Sequence, residues 1–444
     1  VFRKRLMCQI GSDIKKLFLN KWHYENYYKT LYFLGGDMSG PFKGVRVLEL
    51  TSTVSGPFAG MMLADQGAEV IKIEPPGIGD LARFMGTIKE GMGAMFSTLN
   101  RNKKCICLDF KNEEDLSVLL ELVSTADILI ENYRPGIVKK LGIDYETLKK
   151  IKPDLIYCSI SGYGQSGPYK EKKVYDPLIQ GTVGIPHAQN GEFPELIRTI
   201  IYDKVTGLTS AQAISAALYQ KANGEGGQYL PISMMESALY YNWPDLMMNH
   251  TFEEGGINLG ELADLFEVYE TKDGGVVLII IANDEVFTKF CEVFSLSLHL
   301  DEKYNNLVSR IINKEELTEE INKITRNLSS KELEDKMDNE GISASLCNDL
   351  NKVHLDPQVI EQGSIVEIDH PELGKMRMPK PPANLKGQKE FPRTLAPILG
   401  FDNRQILEEL KIDNGIIERM EEREDQNRML IKAMMDAQNQ SQDD

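Results

Sequence analysis

The sequence predicts an α/β protein built on a doubly wound parallel sheet, with a smaller α+β unit in the later half of the chain. Three observations carry this. From Gly44 to about Ile232, short apolar runs alternate with stretches of helical periodicity, the pattern of βαβ units. Beyond 262 the pattern changes to hairpins, with β-rich runs at 266–271 and 276–281 around Lys-Asp-Gly-Gly at 272–275. At 444 residues the chain is too long for one ordinary domain.

The elements follow in order. Residues 1–37 carry Lys, Arg and many aromatics without a continuous apolar run, so they do not form a signal peptide. They are expected to be an extension upstream of Met38, outside the core, with a docked helical arm as the alternative. Residues 45–50 are an apolar strand and 51–56 a polar loop. Pro57 then suits the first turn of a helix, Phe58, Met61 and Met62 face inward, and Gly67 ends it. Residues 68–74 form the next strand, which completes a right-handed βαβ unit. The alternation continues with a strand at 104–110, a helix at 113–125 and a strand at 128–132. Short helices at 135–141 and 145–151 precede a strand at 155–160. A glycine-rich loop, SGYGQSGPY, occupies 161–169. After a helix ending near Lys221 come a strand at 229–232 and a helix at 233–242, broken by Trp243 and Pro244. Residues 249–262 read as a linker and the material to about 337 as charged helices. A second hairpin is expected at 364–378, an extended Pro-rich connection at 379–382 and an amphipathic stretch at 403–437.

A net charge of −17 excludes nucleic acid or an anionic membrane as the main partner, while leaving room for a local basic pocket. The six cysteines are scattered, and only Cys105 and Cys107 are close, so neither a zinc site nor a disulfide framework is expected. No run of 18 or more apolar residues is present to span a membrane. Reduced thiols in a cytoplasmic protein, with no metal, are the expectation. There is no G-x-G-x-x-G after the first strand and no G-x-x-x-x-G-K-[ST]. A nucleotide-bearing ligand would have to be held without these fingerprints.

The most informative stretch is 195–218, ELIRTIIYDKVTGLTSAQAISAAL. It reads as a strand at 196–202, then Asp203, then a helix. Thr206, Gly207 and Thr209 offer turn chemistry at the join, and Leu208, Ala211, Ile214 and Leu218 form one apolar face. Asp203 would then sit at the ligand-binding edge of an open sheet. From spacing alone it reads first as an ordinary helix cap or first-turn charge, ahead of any functional role.

Several segments in order, GVRVLELT, SGPFAGMMLADQGAEVIKIE, NRNKKCICLDF, ADILIENYRPGIVKKLG, LIYCSISGYGQSGPY and the Asp203 segment, resemble class III CoA-transferases. This resemblance implies a large Rossmann-like domain formed by both ends of the chain, a small α+β middle domain, and an interlocked homodimer. The implied division is 38–248 for the CoA-binding domain, 249–350 for linker and small domain, and 351–444 for the return. It implies Asp203 as the catalytic nucleophile. It also implies CoA contacts at Ser52, Thr53, Val54, Leu108, Lys111, Asn132, Tyr133, Lys140, Lys173 and Tyr175. Coenzyme A enters as acyl-CoA substrate, with no permanently bound cofactor; the other partner is a carboxylic acid. Two departures stand out. Pro75 replaces an arginine that close relatives place against CoA, and the glycine-rich closing loop of formyl-CoA transferase is not evident.

The implied reaction suits Asp203, because an Asp with a reference pKa of about 3.9 is ionised at neutral pH and needs no partner base. The alternative is an α-methylacyl-CoA racemase of the same superfamily. There Asp203 would need an acid/base partner where the racemases carry His; here Tyr175 stands, followed by Asp176. A non-catalytic CoA-binding protein is the third reading. His187, His250, Glu236 and Asp245 lie outside the catalytic motifs and read as surface or structural residues.

Overall fold

The computed structural model describes residues 39–89, 92–189, 193–258, 260–370, 373–383, 385–386 and 391–426. The expected extension at 1–37 and the end of the 403–437 stretch lie outside the described residues. Among the described residues, those up to Tyr241 and from Ser364 onward form one compact unit, and those of Asn242–Gly363 form a second. The boundaries expected at 249 and 350 therefore fall at 242 and 363. The second unit takes up the chain directly after Tyr241, just before Trp243 and Pro244, and still includes the short helix Pro357–Glu361.

Six strands make the sheet of the first unit: β1 (Arg46–Leu50), β2 (Glu69–Glu74), β3 (Lys103–Cys107), β4 (Ile128–Glu131), β5 (Ile156–Ser161) and β6 (Tyr229–Ser233). All pairs are parallel, in the order β3-β2-β1-β4-β5-β6. This is the Rossmann order, in which the winding reverses between β1 and β4. The period-2 alternation of each strand feeds two cores. Leu48, Ile71, Ile106 and Leu129 face one side, where they meet Val118, Leu119 and Leu122 of α2 (Glu113–Thr125). Val47, Val70, Ile128 and Ile156 face the other, against Leu63 of α1 (Ser55–Asp65) and Ile214 of a later helix. Each fully buried Leu or Ile contributes roughly 1.5–3 kcal/mol relative to exposure.

The late return of the chain closes the β3 edge. Cys105 N–H donates to Asp402 Oδ2 at 2.7 Å and Cys107 N–H to Asn403 Oδ1 at 2.9 Å, while Asp402 N–H donates to Cys105 O at 3.0 Å. These side chains satisfy backbone groups that an open edge would expose. Ile406 and Leu407 join the first core.

In the second unit, β7 (Glu267–Glu270), β8 (Gly275–Leu278) and β9 (Ala344–Leu346) form an antiparallel sheet in the order β9-β8-β7. Its own core joins Tyr269, Val276 and Leu278 to Phe287, Phe290, Leu317, Ile321 and Leu333 from the packed helices.

A charge network lies buried under the sheet end of the first unit. Glu49 on β1 bonds Lys72 Nζ on β2 at 3.0 Å and Lys103 Nζ on β3 at 2.7 Å. Lys72 also meets Asp80 at 2.9 Å and donates to Thr51 O at 2.9 Å. Lys103 donates to Pro57 O at 2.9 Å. Burial works against the Lys72 charge, yet Glu49 and Asp80 overcome it and hold its pKa above the usual lysine range. Burial, with Lys72 beside it, draws Lys103 down to about 8 against the pull of Glu49. Gly60 lets α1 lie on this network: a Cβ there would stand 1.9 Å from Glu49 Oε2. Gly60→Ala is expected to displace that carboxylate from Lys103 and to destabilise the first unit by about 3 kcal/mol, read as an earlier denaturant midpoint.

Candidate functional site

The loops that leave the carboxyl ends of the strands gather where the winding reverses. The loop after β1 and the loop after β4 are tied reciprocally. Ser52 N–H donates to Asn132 Oδ1 at 3.1 Å, and Asn132 Nδ2 donates to Ser52 O at 2.9 Å. Thr53 has φ 71°, a left-handed conformation that a β-branched residue adopts only under restraint. Its N–H is held by Asp80 Oδ1 at 2.9 Å. Asp80 is the same residue whose other oxygen meets Lys72, so the buried network fixes the loop.

The strand expected at 196–202 is absent. Residues 193–200 are irregular. They are strapped by Gln180, which accepts from Ile197 N–H at 3.0 Å and donates to Thr199 O at 3.1 Å. These side-chain bonds take up the backbone groups a strand partner would have used. Gln180 lies on α3 (Asp176–Thr182). Helix α4 (Ile201–Ala222) starts earlier than the spacing suggests. The reason is Asp176, whose Oδ2 accepts the N–H groups of Tyr202 at 2.5 Å and Asp203 at 3.1 Å. A carboxylate on these amides caps the helix from 27 residues away in sequence. Asp203 is thus in the first turn of α4 rather than at a strand end. Thr206 and Thr209, expected at the join, lie inside the helix and bond back to Tyr202 O at 2.6 Å and Val205 O at 2.9 Å. Gly207 marks the close approach of α4 to α1, since a Cβ would stand 2.8 Å from Ser55 O. Leu208, expected on the buried face, is exposed, whereas Ala211 and Ile214 are buried. The buried stripe runs through Val205, Thr206 and Ser210 instead.

Asp203 is half-buried. Ser55, the first residue of α1, lies close enough to its carboxylate for its hydroxyl and N–H to favour the ionised form. Burial pushes its pKa up, the Asp176 charge adds to this, and Ser55 and Lys204 pull it down, leaving it at about 6. The carboxylate therefore stands at two helix starts, its own and that of α1. It is an ionised but poorly solvated carboxylate at neutral pH, with the Ser55 donors beside it.

The remaining residues divide by accessibility. Ser52 is exposed, and Asn132 and Tyr133 are half-buried on the same loop edge. Val54 is buried with Met61 and Leu99. The Leu108 side chain belongs to the core beside Leu50 and Ile73, so only its backbone faces the loops. Lys111, Lys140 and Lys173 are exposed, and none of them makes an ion pair among the described residues. Tyr175 is 70 % exposed and precedes α3. Pro75 is exposed after β2. His187, His250, Glu236 and Asp245 are all exposed. No group of three or more metal-ligating side chains is brought together among the described residues.

Three residues that spacing did not single out belong to this region: Ser55, Asp80 and Glu131. Burial pushes Glu131 up to about 7, although it accepts Tyr133 N–H at 2.8 Å. It borders a cavity of about 200 Å³ that Tyr133, Tyr145 and Tyr229 also line. A serine directly before Gly-Pro at a helix start was the one available signal, for Ser55.

The family model for CoA-transferase family III matches residues 42–403. Succinyl-CoA:glutarate CoA-transferase of Mus musculus is 33 % identical, over 86 % of this chain and 90 % of that protein. Succinate–glutarate CoA-transferase of Agrobacterium fabrum is 32 % identical, over 84 % of this chain and 96 % of that protein. The crystal structure of a CaiB/BaiF family protein from Brucella suis superposes with a TM-score of 0.74 at 30 % identity, covering 84 % of this chain and all of that one.

The raised Asp203 pKa has a stability consequence. The folded carboxyl, at about 6, holds its proton more tightly than the unfolded one, at about 3.9. Ionisation thus weakens the fold progressively between those values, and the penalty is complete above them. Asp203→Asn is expected to stabilise the protein by roughly 1–2 kcal/mol at pH 8, after allowance for partial solvation, and to give no gain below about pH 4. Denaturant midpoints of both proteins at the two pH values check this.

Proposed function

The chain belongs to CoA-transferase family III, and we propose that it moves CoA from an acyl-CoA donor to a dicarboxylic acid through a covalent intermediate on Asp203. The carrying observation is the Asp203 carboxylate itself, half-buried in the first turn of α4, with its N–H on Asp176 and with Ser55 of α1 close enough to favour its ionised form. The relatives' names, which pair succinyl-CoA or succinate with glutarate, support a dicarboxylic substrate class.

The route balances without an external base. The Asp203 carboxylate attacks the thioester carbonyl, and collapse of the tetrahedral species expels the CoA thiolate and leaves a mixed anhydride. The thiolate attacks the aspartyl carbonyl and releases the donor acid as its carboxylate. An aspartyl-CoA thioester remains. The acceptor carboxylate attacks that thioester, again freeing the thiolate, which then takes the acceptor acyl group and restores Asp203. Each step exchanges one acyl bond for another. We assign the Ser55 hydroxyl and N–H to the oxyanion that forms on the aspartyl carbonyl, where one lost donor typically costs about 10²–10³ in kcat.

For CoA we assign Ser52 and Thr53 and the main chain of Val54, with Asn132 and Tyr133 across the reversal point. Lys111, Lys140 and Lys173 serve as phosphate partners, with the Leu108 backbone and the Tyr175 ring alongside. The unpaired state of the three lysines favours this reading. Asp176 counts against the racemase. Its carboxylate is buried and engaged with Tyr202, Asp203 and Gln180, so it is not free to move a proton. An interlocked homodimer completes the proposal; elution as a monomer with light-scattering detection would remove it.

Incubation with succinyl-CoA followed by borohydride or hydroxylamine is expected to change the mass of one peptide, the one containing Asp203, and to leave Asp203→Ala unchanged. No adduct, together with deuterium uptake at the α-carbon of a 2-methylacyl-CoA in D₂O, favours the racemase. The acid limb of kcat/KM is expected near pH 6, since the ionised carboxylate is the active form. Ser55→Ala removes the hydroxyl, one of the two donors that lower this pKa, so its limb is expected at higher pH, with kcat about 10²-fold lower.

A further inference from the structure

The nucleophile of the proposed reaction has a cation as its chain neighbour. Lys204 lies in the first turn of α4, with Nζ 3.0 Å from Thr199 Oγ1. It is close enough to the Asp203 carboxyl to lower its pKa. Among the described residues it has no carboxylate partner; its one bond is to a hydroxyl. By contrast, the buried cations of this unit, Lys72, Lys103, Arg83 and Arg101, each hold an acid within 3.0 Å.

The position is also an unfavourable one for a lysine, because a helix start carries the positive end of the dipole. Its anchor is fixed in turn. Thr199 sits on the 193–200 segment, which Gln180 binds through Thr199 O at 3.1 Å. The anionic surroundings supply the physical need. A dicarboxylate arriving at Asp203 brings two negative charges toward Asp203 and the buried Asp176, and like charges at this distance repel. One carboxylate is consumed in the acyl exchange. The other stays charged throughout and needs a cation.

We propose that Lys204 receives the remote carboxylate of a dicarboxylic substrate while the other carboxyl reacts at Asp203, so that Lys204 selects diacids over monoacids. This rests on the transferase reading above. The Thr199 hydroxyl holds Nζ in place and offers the carboxylate a second donor.

The test compares glutarate with valerate, which has the same carbon count and one carboxyl. In a covalent-intermediate mechanism, kcat/KM for the acceptor reports the second half-reaction alone and is independent of the donor. With succinyl-CoA as donor, Lys204→Gln is expected to lower kcat/KM for glutarate roughly 10- to 100-fold, the range of one charge-assisted hydrogen bond. Valerate is expected to change less than about threefold, as for an ordinary surface substitution. Lys204→Arg keeps the charge and is expected to restore most of the glutarate preference. Arg198→Gln, which removes an exposed charge from the same segment, is expected to leave the ratio of the two acids unchanged. Equal losses on both acids, or an unchanged ratio in Lys204→Gln, overturn the assignment. So does a wild-type enzyme that prefers valerate. Transfer to neither acid, with no adduct on Asp203, instead removes the transferase reading on which this one stands.

Discussion

Everything at the mouth of the sheet depends on the buried ion network of Glu49, Lys72, Lys103 and Asp80. Isolated, any of these charges would be intolerable at such depth, where the idealised desolvation penalty is of order 20 kcal/mol per ion. Together they neutralise one another across three adjacent strands and use their remaining hydrogen-bonding capacity on the backbone of the following loop, at Thr51 O, Thr53 N and Pro57 O. The consequence is directional. A hydrophobic core of the same volume could hold the strands, but it could not hold Thr53 in a left-handed conformation or set the start of α1. The network thus converts strand register into the position of Ser55, two residues beyond Thr53. A second pair extends it: Glu74 binds Arg83 at 2.7 Å, and Arg83 reaches Pro397 O on the returning chain at 3.2 Å.

The parts legible in the sequence were those governed by local period. The helix at 113–125 matches residue for residue, and the six strands of the sheet fall within a few residues of their expected places. Apolar alternation suffices there because two faces of one sheet must each be covered. The start of α4 was not legible, because it is set by Asp176, a residue on another element. The apolar run at 196–200 looked like a strand, yet Gln180 supplies its hydrogen bonds and it never needs a sheet partner. Leu208 misled because the buried face also takes in small and polar residues, Thr206, Gly207 and Ser210, which an apolar pattern passes over. Buried lysines are beyond pattern reading altogether. Lys72 and Lys103 sit in strands as though solvent-facing, and nothing in their spacing reveals the acids opposite them.

The candidate site was legible only in part. Asp203 was singled out by its segment, but its surroundings were read from the wrong local structure. Ser52 and Asn132 come together as a bonded pair, which no spacing of 80 residues could announce. Ser55 was overlooked because a serine at a helix start is a common cap, and here its hydroxyl faces the carboxylate of another helix.

The energetics of Asp203 follow one logic from fold to reaction. The same two terms that raise its pKa, burial and the Asp176 charge, raise the energy of the ionised resting state. A shift of about two pKa units corresponds to at most about 3 kcal/mol held in that state. On the proposed route, acylation converts the carboxylate into a neutral anhydride or thioester. Both terms are then relieved at once, because a neutral acyl group carries no charge to desolvate and none for Asp176 to repel. Stabilising the carboxylate better, with an arginine in place of Lys204 for example, would deepen the resting state and slow the attack. A lysine one residue away, drawn toward Thr199 and left for the substrate, avoids that while still offsetting the charge the substrate brings. The local instability of Asp203 and the unpaired charge of Lys204 are in this view two halves of one arrangement, each unfavourable in the empty protein and balanced only when an anionic acyl group lies between them.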